Sequence, residues 1–283
     1  MSRKFAVLTT FNQQGLQVYG QRFLNSFVDR MPDEIGMYIY AERCTPVLRK
    51  NNKSIKILDH EKTLPDLVAF KKRYGKDPRA TGMGPDNRRL DARKAFKWDA
   101  IKFSNKVYAV CDAARKAKAD GYDVLIWMDA DSYVHSKMPL SFLDKFIPQH
   151  VFTCFLGRGH KYAECGWYSL NLNHEHADKF INEFQRMYDD AENGIFKIKY
   201  TTNHLRLKVL STAGISRLYL YWHFQATLQN TINITCSEKR AQCNSQQAYH
   251  LSTLVPGGLL TSSRILTPEF CGRIVSAFNG WSY

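Results

Sequence analysis

Val124-Leu125-Ile126-Trp127-Met128-Asp129-Ala130-Asp131 decides how the chain is read. A strand with one wet face alternates apolar and polar residues, whereas a strand covered on both faces stays apolar throughout. Val124–Met128 is therefore expected as a central parallel strand, with two acids leaving its carboxyl end. In open α/β sheets that end is where ligands bind.

Outward from this strand, the flanking sequence supplies covering helices. Phe96, Ala100, Phe103, Val107, Val110, Ala114 and Ala117 recur at steps of four and three, which makes one apolar helical face before a stop at Gly121. At the amino end, Phe5–Thr9 is strand-like, and Leu16, Tyr19, Phe23, Leu24, Phe27, Val28 and Met31 follow with helical spacing. Pro32 lies just beyond that helix, and Gly36–Ala41 is the next strand. This β-α-β opening predicts an α/β fold with a sheet covered by helices. After the two acids, Ser136 is expected to cap a short helix near Pro139. Strands are expected at Val151–Leu156 and Gly166–Leu172, then an amphipathic helix from Ala177 to Ala191 with Gly194 beyond it. Residues 42–90 show weak periodicity, and Gly82-Met83-Gly84-Pro85 reads as a loop.

Composition sets the outer bounds. The 283 residues are 44% hydrophobic and 13% aromatic, as in a folded globule. Lys and Arg number 40 against 26 Asp and Glu, a formal charge of +14 that favours an anionic partner. No apolar run approaches the ~20 residues of a membrane-spanning helix. The seven cysteines are scattered, without a Cys-x-x-Cys pair, which argues against a disulfide framework or structural zinc and points to a cytoplasmic protein. From residue 200 the character changes: Glu238 and Glu269 are the only acids, and helical periodicity fades. The expected division is 1–199 as a nucleotide-sugar-binding core and 200–283 as an acceptor-side region or divergent tail.

Two carboxylates at i and i+2 leaving a strand point to one side. They can hold a hard cation such as Mn²⁺ or Mg²⁺, which would neutralise a departing diphosphate. Alone, an Asp-x-Asp equally fits a loop whose acids cap backbone amides; its place after a wholly apolar strand is what favours the metal. Glu164-Cys165-Gly166-Trp167-Tyr168 carries an acid, a glycine permitting close approach, and aromatic rings able to stack. Between Lys71 and Lys106 stand twelve basic residues and four Asp. Within that stretch Arg88, Arg89, Arg93, Lys94 and Lys97 would suit a polyanion.

The segment Val124-Leu-Ile-Trp-Met-Asp-Ala-Asp-Ser-Tyr-Val-His resembles the Asp-x-Asp (DXD) strand of GT-A nucleotide-sugar glycosyltransferases, and the likeness extends over about residues 3–199. It implies a Rossmann-like mixed sheet with helices on both faces. It also implies transfer of a sugar from a nucleoside-diphosphate donor to an acceptor hydroxyl, on a polysaccharide or a modified DNA base. By the resemblance, Asp129 faces the donor, Asp131 holds the metal with Asp129 beside it, and Lys106, with Asp99 on the same helical stripe, lies at the diphosphate. Thr9 and Phe11 begin the nucleobase pocket. Trp167 contacts the donor sugar, and Glu164 binds the sugar or acts as general base. The family usually draws a third metal ligand and an acid from its carboxyl-terminal part; here that part offers His204, His223 and His250 but almost no acid.

Two rivals belong to other classes. A nucleotidyltransferase would carry a glycine-rich basic loop after the first strand, and Thr9–Gly15 holds one glycine and no base. A non-catalytic nucleic-acid-binding protein would use the basic 71–106 stretch and bind with a steep salt dependence.

Overall fold

The computed structural model describes residues 2–50, 52, 54–82, 99–156 and 165–197, with further backbone strands at 220–223 and 232–233. Strand β1 (Phe5–Asn12) leads through a short helix α1 (Gln13–Gly15) and a π-helical turn (Leu16–Gly20) into α2 (Gln21–Arg30) and strand β2 (Gly36–Glu42). Strand β3 (Ile55–Asp59) and helices α3 (His60–Thr63) and α4 (Pro65–Tyr74) follow, then the long helix α5 (Ala100–Ala119) and strand β4 (Val124–Met128). Beyond it come β5 (Tyr133–Val134), α6 (Leu140–Phe146), β6 (Thr153–Leu156), β7 (Trp167–Asn171) and α7 (Ala177–Asp189). Strands β8 (Leu220–His223) and β9 (Ile232–Asn233) complete the order.

Seven strands form one sheet in the order β3-β2-β1-β4-β7-β6-β8, and β5 pairs with β9 in a second, two-stranded sheet. Strands β3, β2, β1 and β4 are mutually parallel, while β7 runs antiparallel to both β4 and β6. The fold is therefore α/β with a mixed sheet. Strand β4 is central as expected, but only one of its neighbours is parallel.

Strand alternation explains why β4 is apolar throughout. Leu125 and Trp127 join Ala6, Leu8, Tyr38 and Tyr40 on one face, packed against α4, α5 and α7. Val124, Ile126 and Met128 join Phe5, Val7, Met37 and Ile39 on the other, packed against α2 and α6. All five residues of β4 are buried. At the typical transfer value of ~25 cal/mol per Å² of apolar surface, this two-faced burial is the main source of stability.

Local signals set the helix ends. Asp99 caps α5 by accepting the Lys102 amide at 2.8 Å, and Gly121, at φ +78°, takes the left-handed conformation that ends it. The expected Ser136 cap is not formed: Pro139 precedes α6 without a side-chain cap, and Ser136 instead pairs with His135 at 2.6 Å. Strand β3 and helix α4, within the weakly periodic 42–90 stretch, are additional elements. Half-exposed β3 lies at the sheet edge, where its alternation is diluted by charge.

The chain leaves β1 through α1 and α2 on one face of the sheet and enters β4 from α5 on the other. Strands β1 and β4 are neighbours, and the strand order reverses between them, β2 and β3 lying on one side and β4 on the other. Such a switch point is the general ligand position in open α/β sheets. Leu8 stands opposite Trp127, which sets the end of β1 alongside Asp129-Ala130-Asp131.

Candidate active site

Asp129 extends the sheet by one bond, its amide donating to the Gly166 carbonyl at 2.8 Å. The chain then turns, with the Ser132 amide and hydroxyl donating to the Asp129 carbonyl at 3.0 and 2.6 Å. These bonds fix the backbone that carries both acids. They also bring the start of β7 to the same point.

Asp129 and Trp127 are i and i+2, so they share a face of the sheet, the one covered by α5. Asp129 Oδ1 accepts from Lys106 Nζ at 2.7 Å and from Trp127 Nε1 at 2.7 Å. Lys106 Nζ also donates to the Cys165 carbonyl at 3.1 Å and lies 4.4 Å from the centroid of the Trp127 ring. Only 12% of the Lys106 side chain and 33% of that of Asp129 is exposed, so the pair is shielded from screening and its geometry is firm.

Asp131 is half-buried, and its carboxyl is pushed up to about 6. Burial is the main cause and the charge of Asp129 the next; Lys106 and Lys102 pull the other way without cancelling them. Burial and the neighbouring Asp129 thus both disfavour the ionised form of Asp131, which a bound cation would favour. Tyr19, from the π-helical turn, faces the same acids: burial first, then Asp131, then Asp129 hold its phenol above the ordinary tyrosine value. Its hydroxyl lies where a Cβ on Gly15 would come within 2.8 Å, so the glycine makes room for the ring. On this side Arg22 stacks over Tyr133 at 5.0 Å, and the Val134 amide donates to Ser26 Oγ at 2.9 Å, tying the segment after the acids to α2.

The residues fit a divalent cation held by two carboxylates, with remaining ligands from water and substrate phosphate, the usual manner for Mg²⁺. Among the described residues no group of three His, Cys, Asp or Glu forms a complete protein cage.

Of the residues expected at the site, Asp129, Asp131 and Lys106 are brought together. Glu164 lies outside the described residues, although its neighbours Cys165 and Gly166 are at the site. His204 and His250 also lie outside them, and His223 is described only as backbone. Asp99 is two helical turns before Lys106, about 10 Å along the axis, and its carboxylate caps α5, so the expected donor contact is replaced by a structural one. Trp167 is 1% exposed and meets Phe146 edge-on at 5.3 Å; its ring belongs to the core and offers no face for stacking on a sugar. Phe11 is likewise buried, against Gly20, and Thr9 is fully buried with its hydroxyl unpartnered among the described residues. Asn12 caps α1 by accepting the Gly15 amide at 2.8 Å. Tyr19 and Trp127 are site residues that the sequence reading placed in apolar faces. Aromatic residues fit such faces by spacing alone, and only their polar atoms, revealed by the fold, set them apart.

Of the described bases in the 71–106 stretch, Lys71, Arg79 and Lys106 form ion pairs with acids of the protein. Lys71 binds Glu42 at 2.7 Å, and Arg79 binds Asp77 at 2.7 Å and Glu192 at 2.9 Å. Arg88, Arg89, Arg93, Lys94 and Lys97 lie outside the described residues. No described helix is long and apolar enough to cross a membrane.

No known family's sequence profile matches the chain. No curated protein matches it in sequence either. Among solved structures, it is similar to mouse xyloside xylosyltransferase 1, at 8% identity and a TM-score of 0.42, over 80% of this chain and 89% of that one. It is also similar to the bifunctional glycosyltransferase WbbM, at 11% identity and a TM-score of 0.45, over 79% of this chain and 39% of that one. Similarity at this level establishes neither a family nor an activity.

Proposed function

We propose that the chain is a metal-assisted glycosyltransferase that moves a sugar from a nucleoside-diphosphate donor to an acceptor hydroxyl. The observation that carries this is the pair of acids at the end of β4, beside β1, with Asp129 held by the buried Lys106 of α5 and Asp131 half-buried next to it. A half-buried carboxylate raised to about 6 beside a second acid is an unfavourable arrangement that a bound cation reverses.

Asp131, with Asp129 beside it, would hold Mn²⁺ or Mg²⁺, which when bound supplies Lewis-acid neutralisation of the leaving diphosphate. Lys106 anchors Asp129 and adds a fixed positive charge at the phosphate side. Tyr19, whose phenol faces both acids, would contact the donor. Glu164, two residues before Gly166, is the proposed sugar-binding residue or general base. Residues 1–199 form the donor-binding core, and residues 200–283 supply the acceptor side. The acceptor is a glycan or a modified DNA base, and the protein works in the cytoplasm.

Thermal unfolding with a panel of nucleoside diphosphates and nucleotide sugars, with and without Mn²⁺, tests the reading. A donor that binds the native state raises the melting temperature only when the cation is present. No cation-dependent shift with any of them refutes it. Salt-sensitive DNA binding alone would favour the non-catalytic reading instead.

A further inference from the structure

We infer that Trp127 is a positioning residue: its indole N–H holds Asp129 so that Oδ2, and not Oδ1, is presented to the cation and the donor. This rests on the metal-assisted reading above and adds to it a residue drawn from the core.

Trp127 is 3% exposed and lies in the core face beneath α5, its ring stacked on Tyr168 at 6.4 Å and 19°. Packing alone needs no polar atom at this position, and an apolar ring would serve it. A buried indole N–H is a donor that needs an acceptor, and here the acceptor is the site carboxylate at 2.7 Å. Lys106 Nζ converges on the same oxygen at 2.7 Å while lying over the ring at 4.4 Å. Two donors on Oδ1 fix the carboxylate against rotation, because turning it breaks both bonds at once. Among the described residues Oδ2 has no donor, which leaves it the oxygen available to a cation. The indole thus couples the buried strand β4 to an acid just beyond its end.

Trp127→Phe keeps the ring stack and removes the N–H. With Mn²⁺ alone as probe, followed by electron paramagnetic resonance of the free ion, the variant is expected to bind about ten-fold more weakly, the scale of one hydrogen bond to a charged group. Its melting temperature without cation is expected to fall, because the smaller ring leaves a cavity, so the comparison in a second background separates positioning from packing. In an Asp129→Ala background, where the acceptor is gone, Trp127→Phe is expected to change Mn²⁺ affinity no further. Equal Mn²⁺ affinity for Trp127→Phe and the unsubstituted protein, or an undiminished effect in the Asp129→Ala background, overturns the inference. No Mn²⁺ binding by the unsubstituted protein overturns both it and the proposed function. If the variant does not fold, nuclear magnetic resonance of the unsubstituted protein decides. One of its five indole N–H signals is expected to move saturably with Mg²⁺, and five unmoved signals overturn the inference.

Discussion

Replacing Asp131 by Asn should make the cation-free protein more stable at high pH and leave it nearly unchanged at low pH. The carboxyl of Asp131 is held at about 6, against 3.8 in an unstructured chain. Its folded value lies above its unfolded one, so the folded protein resists ionisation. The penalty is absent well below 3.8, grows as pH rises through the interval to 6, and is complete above it. At 1.36 kcal/mol per pH unit this would be about 3 kcal/mol for a fully buried group, and about 2 kcal/mol once partial contact with water is allowed for. Asn has nearly the same shape and no charge, so the substitution removes the titration and little else. Urea unfolding at pH 4, 6 and 8 in the presence of a chelator measures the difference. The stability gain of Asp131→Asn should be about 2 kcal/mol larger at pH 8 than at pH 4. Added Mn²⁺ should stabilise the unsubstituted protein and leave the variant unaffected. An equal difference at all three pH values, or a loss that grows with pH, would refute the electrostatic reasoning.

Lys106→Met keeps the stem and removes the ammonium from Asp129 and the Cys165 carbonyl, which should cost about 2 kcal/mol in urea unfolding at pH 8 and raise the Asp131 carboxyl further. His60 is fully buried with both ring nitrogens unpartnered among the described residues, and burial pushes it down from 6.5 to about 4. Its unfolded form takes up a proton first, so stability is lost as pH falls from 6.5 towards 4, and His60→Leu should flatten that part of a melting-temperature profile. Gly194→Ala would set a Cβ 2.2 Å from the Met187 carbonyl oxygen and 2.8 Å from its Cα, backbone atoms that cannot rotate away. A destabilisation of about 2 kcal/mol or more by calorimetry or urea is expected.

Particular residues show how far the sequence carried. Val124–Met128 was legible because five consecutive apolar residues before two acids leave few alternatives, and the structure buries all five. Strand β7 was legible too, at Gly166–Leu172, but its antiparallel pairing with β4 was not, since pairing direction leaves no trace in periodicity. Helix α5 and its end at Gly121 followed from spacing and a glycine signal. Its start did not: Asp99, taken for a ligand contact, is the cap. Strand β3 was hidden because an edge strand of five residues with Lys56 and Asp59 has little apolar alternation to read. In the candidate site, Asp129 and Asp131 were legible as paired acids after an apolar strand, and Lys106 only through the family resemblance. Trp167 was misplaced because an aromatic beside a glycine serves a core and a sugar equally well, and only the register of β7 decides between them. Trp127 and Tyr19 were passed over for the converse reason, their polar atoms being silent in an apolar pattern.

The most direct measurement of the central claim is release of nucleoside diphosphate from a panel of nucleotide sugars by the full chain, with and without Mn²⁺. Release from at least one donor, dependent on the cation and abolished in Asp131→Asn, is the predicted result. Release that persists in Asp131→Asn, or none from any donor in the presence of Mn²⁺, would contradict the account.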